Sequence, residues 1–165
     1  MTEFEITGAV ATPLARYAPY RRAGDLVYFA GIVAADPLTG VVVRSYSDLP
    51  HNLREAAGET GEMSVDSKDG PIAAASWYVL DQLKKTVETA GGTLNDVVNL
   101  TQYFTDLRDF PGYNRIRAQF FPIPPASTVV RVVELLPTPD SRLEVQAVAH
   151  IPEPARPGPI EAGAP

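Results

Sequence analysis

The succession of local patterns along this 165-residue chain predicts an α+β domain. Runs rich in β-branched and aromatic residues, interrupted twice by helical periodicity, follow the order strands, helix, strand, helix, strand, strand. Both helical stretches are apolar along one side only, so two helices are expected to pack on one face of a mixed β-sheet. The other face then stays open unless a second molecule covers it, which predicts an oligomer.

The run from Asp25 to Val33 (DLVYFAGIV) is almost continuously apolar and reads as a buried strand. Thr39-Gly40 marks a turn, and Val41-Val42-Val43 starts a second short strand. From about residue 44 to 70 large apolar residues are scarce and Gly, Ser, Asp and Glu are frequent, which predicts a long polar loop. Pro71 stands where a helix begins, followed by Ile72, Ser76, Val79, Leu80, Leu83 and Val87 at helical spacing, until Gly91-Gly92 stops it. Asp96 to Phe104 reads as a strand. Asp109 is the expected N-cap of a second helix with Pro111 in its first turn and Ile116, Phe120 and Phe121 on its apolar side. Ser127 to Glu134 and Arg142 to Ile151 complete the sheet. Residues 1–151 thus form one domain. Five of the sixteen prolines fall in residues 152–165, which predicts an extended Pro-rich tail.

Composition narrows the function. Fourteen Lys and Arg against twenty Asp and Glu leave a net charge of −6, which argues against nucleic acid as a partner, because such binding rests on cations neutralising phosphates. There is no cysteine, so a thiol nucleophile and a Cys-based metal site are excluded. His51 and His150 have no ligand spacing around them, and no metal is expected. No apolar run approaches the roughly 18 residues that span a bilayer, and the acidic start Met1-Thr2-Glu3-Phe4-Glu5 lacks the charge of a signal peptide. The expectation is a cytoplasmic protein with no membrane partner.

Four pieces in order carry a more specific signal: Gly24 to Gly31 with Asp36-Pro37-Leu38-Thr39-Gly40; Ala90 to Val98; Asp106 to Asn114 with Phe120-Phe121; and Pro125-Ala126 through Leu136-Pro137 to Glu144 and Ala149. Together they resemble the Rid family (YjgF/YER057c/UK114) of enamine/imine deaminases over about residues 16 to 151. The resemblance implies a chorismate-mutase-like fold, a homotrimer with ligand clefts between subunits, no cofactor, and a small carboxylic acid as substrate. The implied reaction is deamination of an enamine or imine acid to the oxo acid and ammonia, which needs a carboxylate clamp and a positioned water.

Glu144 matches the family's water-handling glutamate, the catalytic candidate. By alternation alone it is an outward-facing strand residue, between Leu143 and Val145. Tyr17, Gly31 and Asn114 match residues that line or support the cleft, although each residue type is also common in plain packing or at a solvated helix start. The pattern departs at Ser127, where the family carries the clamping Arg, at Ala30 in place of Ser, and at Val129. Two arginines are candidate replacements. Arg131 lies four residues beyond Ser127 on the same strand face, and Arg22 belongs to a Tyr-to-Arg-Arg stretch similar to the 2-aminomuconate deaminase branch. The resemblance therefore implies a deaminase for a 2-aminomuconate-like acid. Its alternatives are a non-catalytic homologue that binds a small metabolite and a biosynthetic enzyme that redirects the same cleft.

Overall fold

The structure is a computed structural model and describes residues 17–153. Six strands form one sheet: β1 (Tyr20–Ala23), β2 (Leu26–Phe29), β3 (Ile32–Val33), β4 (Val97–Phe104), β5 (Ala126–Arg131) and β6 (Leu143–His150). The order is β1-β2-β6-β4-β5, with β3 pairing on β6 beyond the end of β2. Only β4 and β5 run parallel; every other pair is antiparallel. The parallel pair follows from its connection, the crossover helix α3 (Phe110–Phe120). With α1 (His51–Ala57) and α2 (Met63–Thr89) these elements make the mixed α+β fold that the pattern predicts.

The core lies between one sheet face and the two longer helices. Phe29, Leu100, Phe104, Leu143 and Val145 meet Val79, Leu80, Leu83 and Val87 of α2 and Tyr113 and Ile116 of α3. Phe104 joins the layers, with the rings of Phe110 and Tyr113 packed edge-on against it at centroid distances of 6.1 and 5.3 Å.

Several elements differ from the sequence expectation. The run Asp25 to Val33 is two strands rather than one, broken at Ala30-Gly31. It is also buried on one face only. Val27 and Phe29 enter the core, while Leu26 and Tyr28 stay exposed on the open face, so the unbroken apolarity reflects two different surfaces. Strand β1 escaped notice because its YRRA sequence lacks any apolar alternation. The segment 41–43 supplies a single bridge, Ala35 to Val42, not a strand.

The largest correction concerns residues 44–70, which are mostly helical and not a loop. Helix α1 is followed by Gly58 in the left-handed region (φ 103°), and Arg54 donates to the Leu49 and Ser47 carbonyls. Helix α2 starts at Met63, two turns before Pro71, which sits inside it. Its first turns are held by Asp66, whose carboxylate accepts from the Thr60 and Gly61 amides. This end of α2 lies on the surface and touches the core chiefly where Gly70 meets the Tyr46 ring, so no apolar periodicity marks it. Asp109 stands at the N-cap of the second helix as expected, but its side chain makes no capping hydrogen bond and pairs with Arg142 at 3.2 Å; the capping carboxylate is Asp106, which accepts from the Arg108 amide in the 3-10 turn just before. Of the expected tail, residues 154–165 lie outside the described residues.

Because Phe104 ties β4 to α3, Phe104→Ala is expected to destabilise the fold by about 3–5 kcal/mol. Urea or guanidinium unfolding measures this. A loss below about 1 kcal/mol would show that α3 does not depend on that ring.

Candidate active site

Strand β6 sorts its residues by alternation. Leu143, Val145, Ala147 and Ala149 are buried in the core, so Glu144 projects from the open face. In register it stands beside Tyr103 of β4 and Val33 of β3. This is the place where the chain passes from β2 to β3 through Ala30-Gly31, and the Glu144 side chain lies across Gly31. A Cβ added to Gly31 would run into the Glu144 carboxyl, with its Cδ at 2.8 Å and Cγ at 3.2 Å. Gly31 is therefore required for the close approach of a side chain, not for a turn.

Around them is a cavity of about 550 Å³ lined by Tyr17, Ala18, Ala30, Gly31, Val33, Leu136, Pro137 and Glu144. That size suits a small ligand. Among the described residues Glu144 is the only carboxylate that lines it, and no Lys or Arg does. Among the described residues Glu144 makes no hydrogen bond and no ion pair, although it is half-buried. Burial accordingly pushes its carboxyl above the ordinary carboxylate range, since loss of water disfavours the charged form. An unpartnered, desolvated carboxylate in a cavity costs stability and is characteristic of sites that handle protons.

The other candidates lie elsewhere. Strand β5 is a sheet edge, and Ser127 stands next to Leu100, which places Ser127, Val129 and Arg131 on the helix-facing side. Arg131 donates from Nε to the Thr105 carbonyl at 3.4 Å. Ser127 receives a hydrogen bond from Arg117 of α3 at 3.2 Å. Asn114 is exposed on α3, one turn before Arg117. Arg22 lies away from the cavity: its guanidinium donates to the Ile151 and Ala90 carbonyls, closing the end of β6 against the end of α2. Of the residues singled out from sequence, then, the structure gathers Tyr17, Gly31 and Glu144. It also contributes Leu136 and Pro137 to the cavity and Arg117 to Ser127. Sequence reasoning treated Leu136-Pro137 as part of the resemblance and the start of a connection, and had no signal for Arg117, ten residues from Ser127 along the chain.

No helix among the described residues is long and apolar enough to cross a membrane. The described residues likewise contain no group of three or more His, Asp or Glu that could hold a metal ion.

The sequence profile of the Endoribonuclease L-PSP family matches residues 45–151. The chain is 31% identical over 140 residues to the 3-aminoacrylate deaminase RutC of Acinetobacter baylyi, covering 84% of this chain and 90% of that protein. It is 28% identical to a RutC family protein of Pyrococcus horikoshii, covering 91% and 98% of the two chains. Among solved structures, a protein from Klebsiella pneumoniae described as an endoribonuclease candidate is 49% identical, with a TM-score of 0.79 over 82% of this chain and 100% of its own. RidA from an Antarctic Psychrobacter superposes with a TM-score of 0.64 at 25% identity, covering 88% and 96%.

Two expectations follow from the Glu144 geometry. Gly31→Ala must expel the carboxyl from its place, so the titration of Glu144, followed by carboxyl ¹³C NMR, should return toward the ordinary carboxylate range. An unchanged titration would mean that the contact with Gly31 does not hold the side chain. The raised pKa also has a stability consequence. As pH rises through the ordinary carboxylate range the unfolded chain releases its proton first, and the folded state loses relative stability until its own, higher pKa is passed. Glu144→Gln removes that loss. Denaturant unfolding should show the variant more stable than wild type at pH 8 and nearly equal to it at pH 4; a difference independent of pH would refute the assignment.

Proposed function

We take as premise that the chain belongs to the Endoribonuclease L-PSP family, the group also called Rid, YjgF or UK114, and propose that it is a hydrolase that deaminates a small enamine or imine acid. The observation that carries the reading is Glu144, half-buried and without a partner among the described residues, over Gly31 in a small cavity.

In the reaction, water adds to the carbon of the C=N bond and a C–O bond forms while the nitrogen takes up a proton. Glu144 accepts the water's proton at its carboxylate and returns one to the nitrogen. Glu144 then takes the hydroxyl proton of this carbinolamine and passes it to the nitrogen, the C–N bond breaks, ammonia leaves and the C=O bond of the oxo acid forms. An enamine substrate first receives a proton on its carbon and becomes the imine, which the protonated form of Glu144 supplies. A carboxyl whose pKa is raised toward neutral pH suits both duties better than an ordinary one, because giving and accepting then have similar driving force. Water and substrate are the only reactants. The apolar lining, Ala30, Val33, Leu136 and Pro137, suits a carbon skeleton with few polar groups, as in 2-aminoacrylate or the longer 2-aminomuconate.

Phosphodiester cleavage fits less well. The chain as a whole carries −6, whereas binding a polynucleotide rests on cations that neutralise its phosphates. The reading includes a cytoplasmic homotrimer with clefts between subunits. Assembly is supported by the open sheet face, where Leu26, Tyr28 and Val130 remain exposed in a single chain.

Ammonia release from freshly generated 2-aminoacrylate and from 2-aminomuconate tests this directly. Wild type should exceed the protein-free rate with at least one of them, and Glu144→Gln should lower the catalysed rate by at least about 100-fold. A correctly folded wild type that releases no ammonia from either would overturn the hydrolase reading and leave a metabolite-binding role.

A further inference from the structure

Arg117, on α3, is a cation without a counter-ion among the described residues. Its Nη1 donates to two neutral oxygens, Gln102 Oε1 at 3.3 Å and Ser127 Oγ at 3.2 Å. Gln102 is fully buried in β4, and its Nε2 is committed to the Leu100 and Thr128 carbonyls at 3.1 Å each. The amide therefore cannot turn over, and its oxygen stays aimed at the arginine. The three elements that surround the guanidinium, α3 (FPGYNRIRAQF), β4 (VVNLTQYF) and β5 (ASTVVR), contain no Asp or Glu. Its basic neighbours are differently placed: Arg115 reaches Asp69 at 3.4 Å, and Arg131 donates to the Thr105 carbonyl at 3.4 Å. Arg117 has no ion pair among the described residues, in a chain where acids outnumber bases twenty to fourteen.

One nitrogen is thus anchored, and the Nε–Nη2 edge of the guanidinium keeps two parallel N–H groups without an acceptor among the described residues. That fork matches a carboxylate. Ser127, with its short hydroxyl, is the residue on β5 that leaves room for a guanidinium arriving from α3. Position also matters. Ser127 lies on the helix-facing side of β5, while Glu144 lies on the opposite face of β6, with β4 between the two strands. A single chain cannot offer both groups to one small molecule.

We propose that Arg117, oriented by Gln102 and Ser127, binds the carboxylate of the substrate in the inter-subunit cleft of the deaminase reading, taking the place of the clamping arginine that the family carries where this chain has Ser127. The inference rests on the deaminase reading for the identity of the ligand, but not for the existence of the anion site. Arg117 fixes the acid end of the molecule and Glu144 serves the C=N end. Substrates lacking a carboxylate are correspondingly excluded.

The test uses three readouts on the full-length protein. With 2-aminoacrylate, Arg117→Ala should raise KM at least about thirty-fold with a smaller change in kcat, in keeping with a lost charge-assisted pair of hydrogen bonds. Arg117→Lys should fall between the two, and Ser127→Arg added to Arg117→Ala should recover much of the loss, because it returns a guanidinium to the same place. Binding of pyruvate, the product, followed by ligand-observed NMR, should vanish in Arg117→Ala and survive in Glu144→Gln; this arm reports on Arg117 even if wild type releases no ammonia. Finally, Arg117→Ala and Glu144→Gln, each inactive at low substrate, are unfolded together and refolded at equal amounts. Random assembly gives about a quarter of the sites both native groups, so about a quarter of wild-type activity should return. Unchanged KM and unchanged pyruvate binding in a folded Arg117→Ala would overturn the assignment of Arg117. Mixed refolding that restores nothing would overturn the shared site. Should Arg117→Ala fail to fold, Arg117→Met, which keeps the apolar length, takes its place in every arm.

Discussion

Strand β6 is the element on which the architecture turns. It is hydrogen-bonded to β2 and β3 on one edge and to β4 on the other, so it has no freedom to shift register. Its even spacing does two jobs at once. Leu143, Val145, Ala147 and Ala149 complete the core beneath α2 and α3, and the same alternation holds Glu144 on the far side. A slip of one residue would bury the carboxylate in the core and expose leucine and valine. The strength of the core packing is therefore what fixes the position of the chemistry.

The two faces of the sheet have opposite physical characters. The covered face is dense and apolar, with Gln102 as its fully buried amide, satisfied by two carbonyls and one guanidinium. The open face carries Leu26, Tyr28 and Val130 in contact with water, which a lone chain gains nothing by exposing. The sheet also holds two charges that have no ion-pair partner among the described residues: the Glu144 carboxylate on the open face and the Arg117 guanidinium at the β5 edge. Each carries a desolvation cost in isolation. On the proposed reading, a second copy and a substrate that bears both an acid and a C=N group would give each of them a partner.

The departures from the sequence expectation share a cause. Local pattern reports burial against water, and it misleads where burial is decided by something else. The run from Asp25 to Val33 reads as a buried strand because its outward residues Leu26 and Tyr28 are apolar as well, on a face that a single chain leaves open. Residues 51–57 and 63–70 looked like a loop because their helices lie on the surface, held by capping carboxylates and carbonyls rather than by an apolar stripe. Pro71 looked like a helix start because proline is tolerated there, yet here the helix passes through it.

What the sequence determined alone was the α+β class, the core part of α2 with α3, the strands β4, β5 and β6, the exclusion of thiol chemistry, and the family, whose motifs single out Glu144, Gly31, Tyr17 and Asn114. These are legible because periodicity and motif residues are local or recur in fixed order. Only the tertiary structure decided that the Glu144 carboxyl lies over Gly31 with no partner, that Leu136 and Pro137 close its cavity, and that Arg22 is spent on the Ile151 and Ala90 carbonyls. It alone brought Arg117 to Ser127, through the crossover that lays α3 across β4 and β5. Side chains meet there because strands and helices pack in three dimensions, and no spacing along the chain encodes which two will touch.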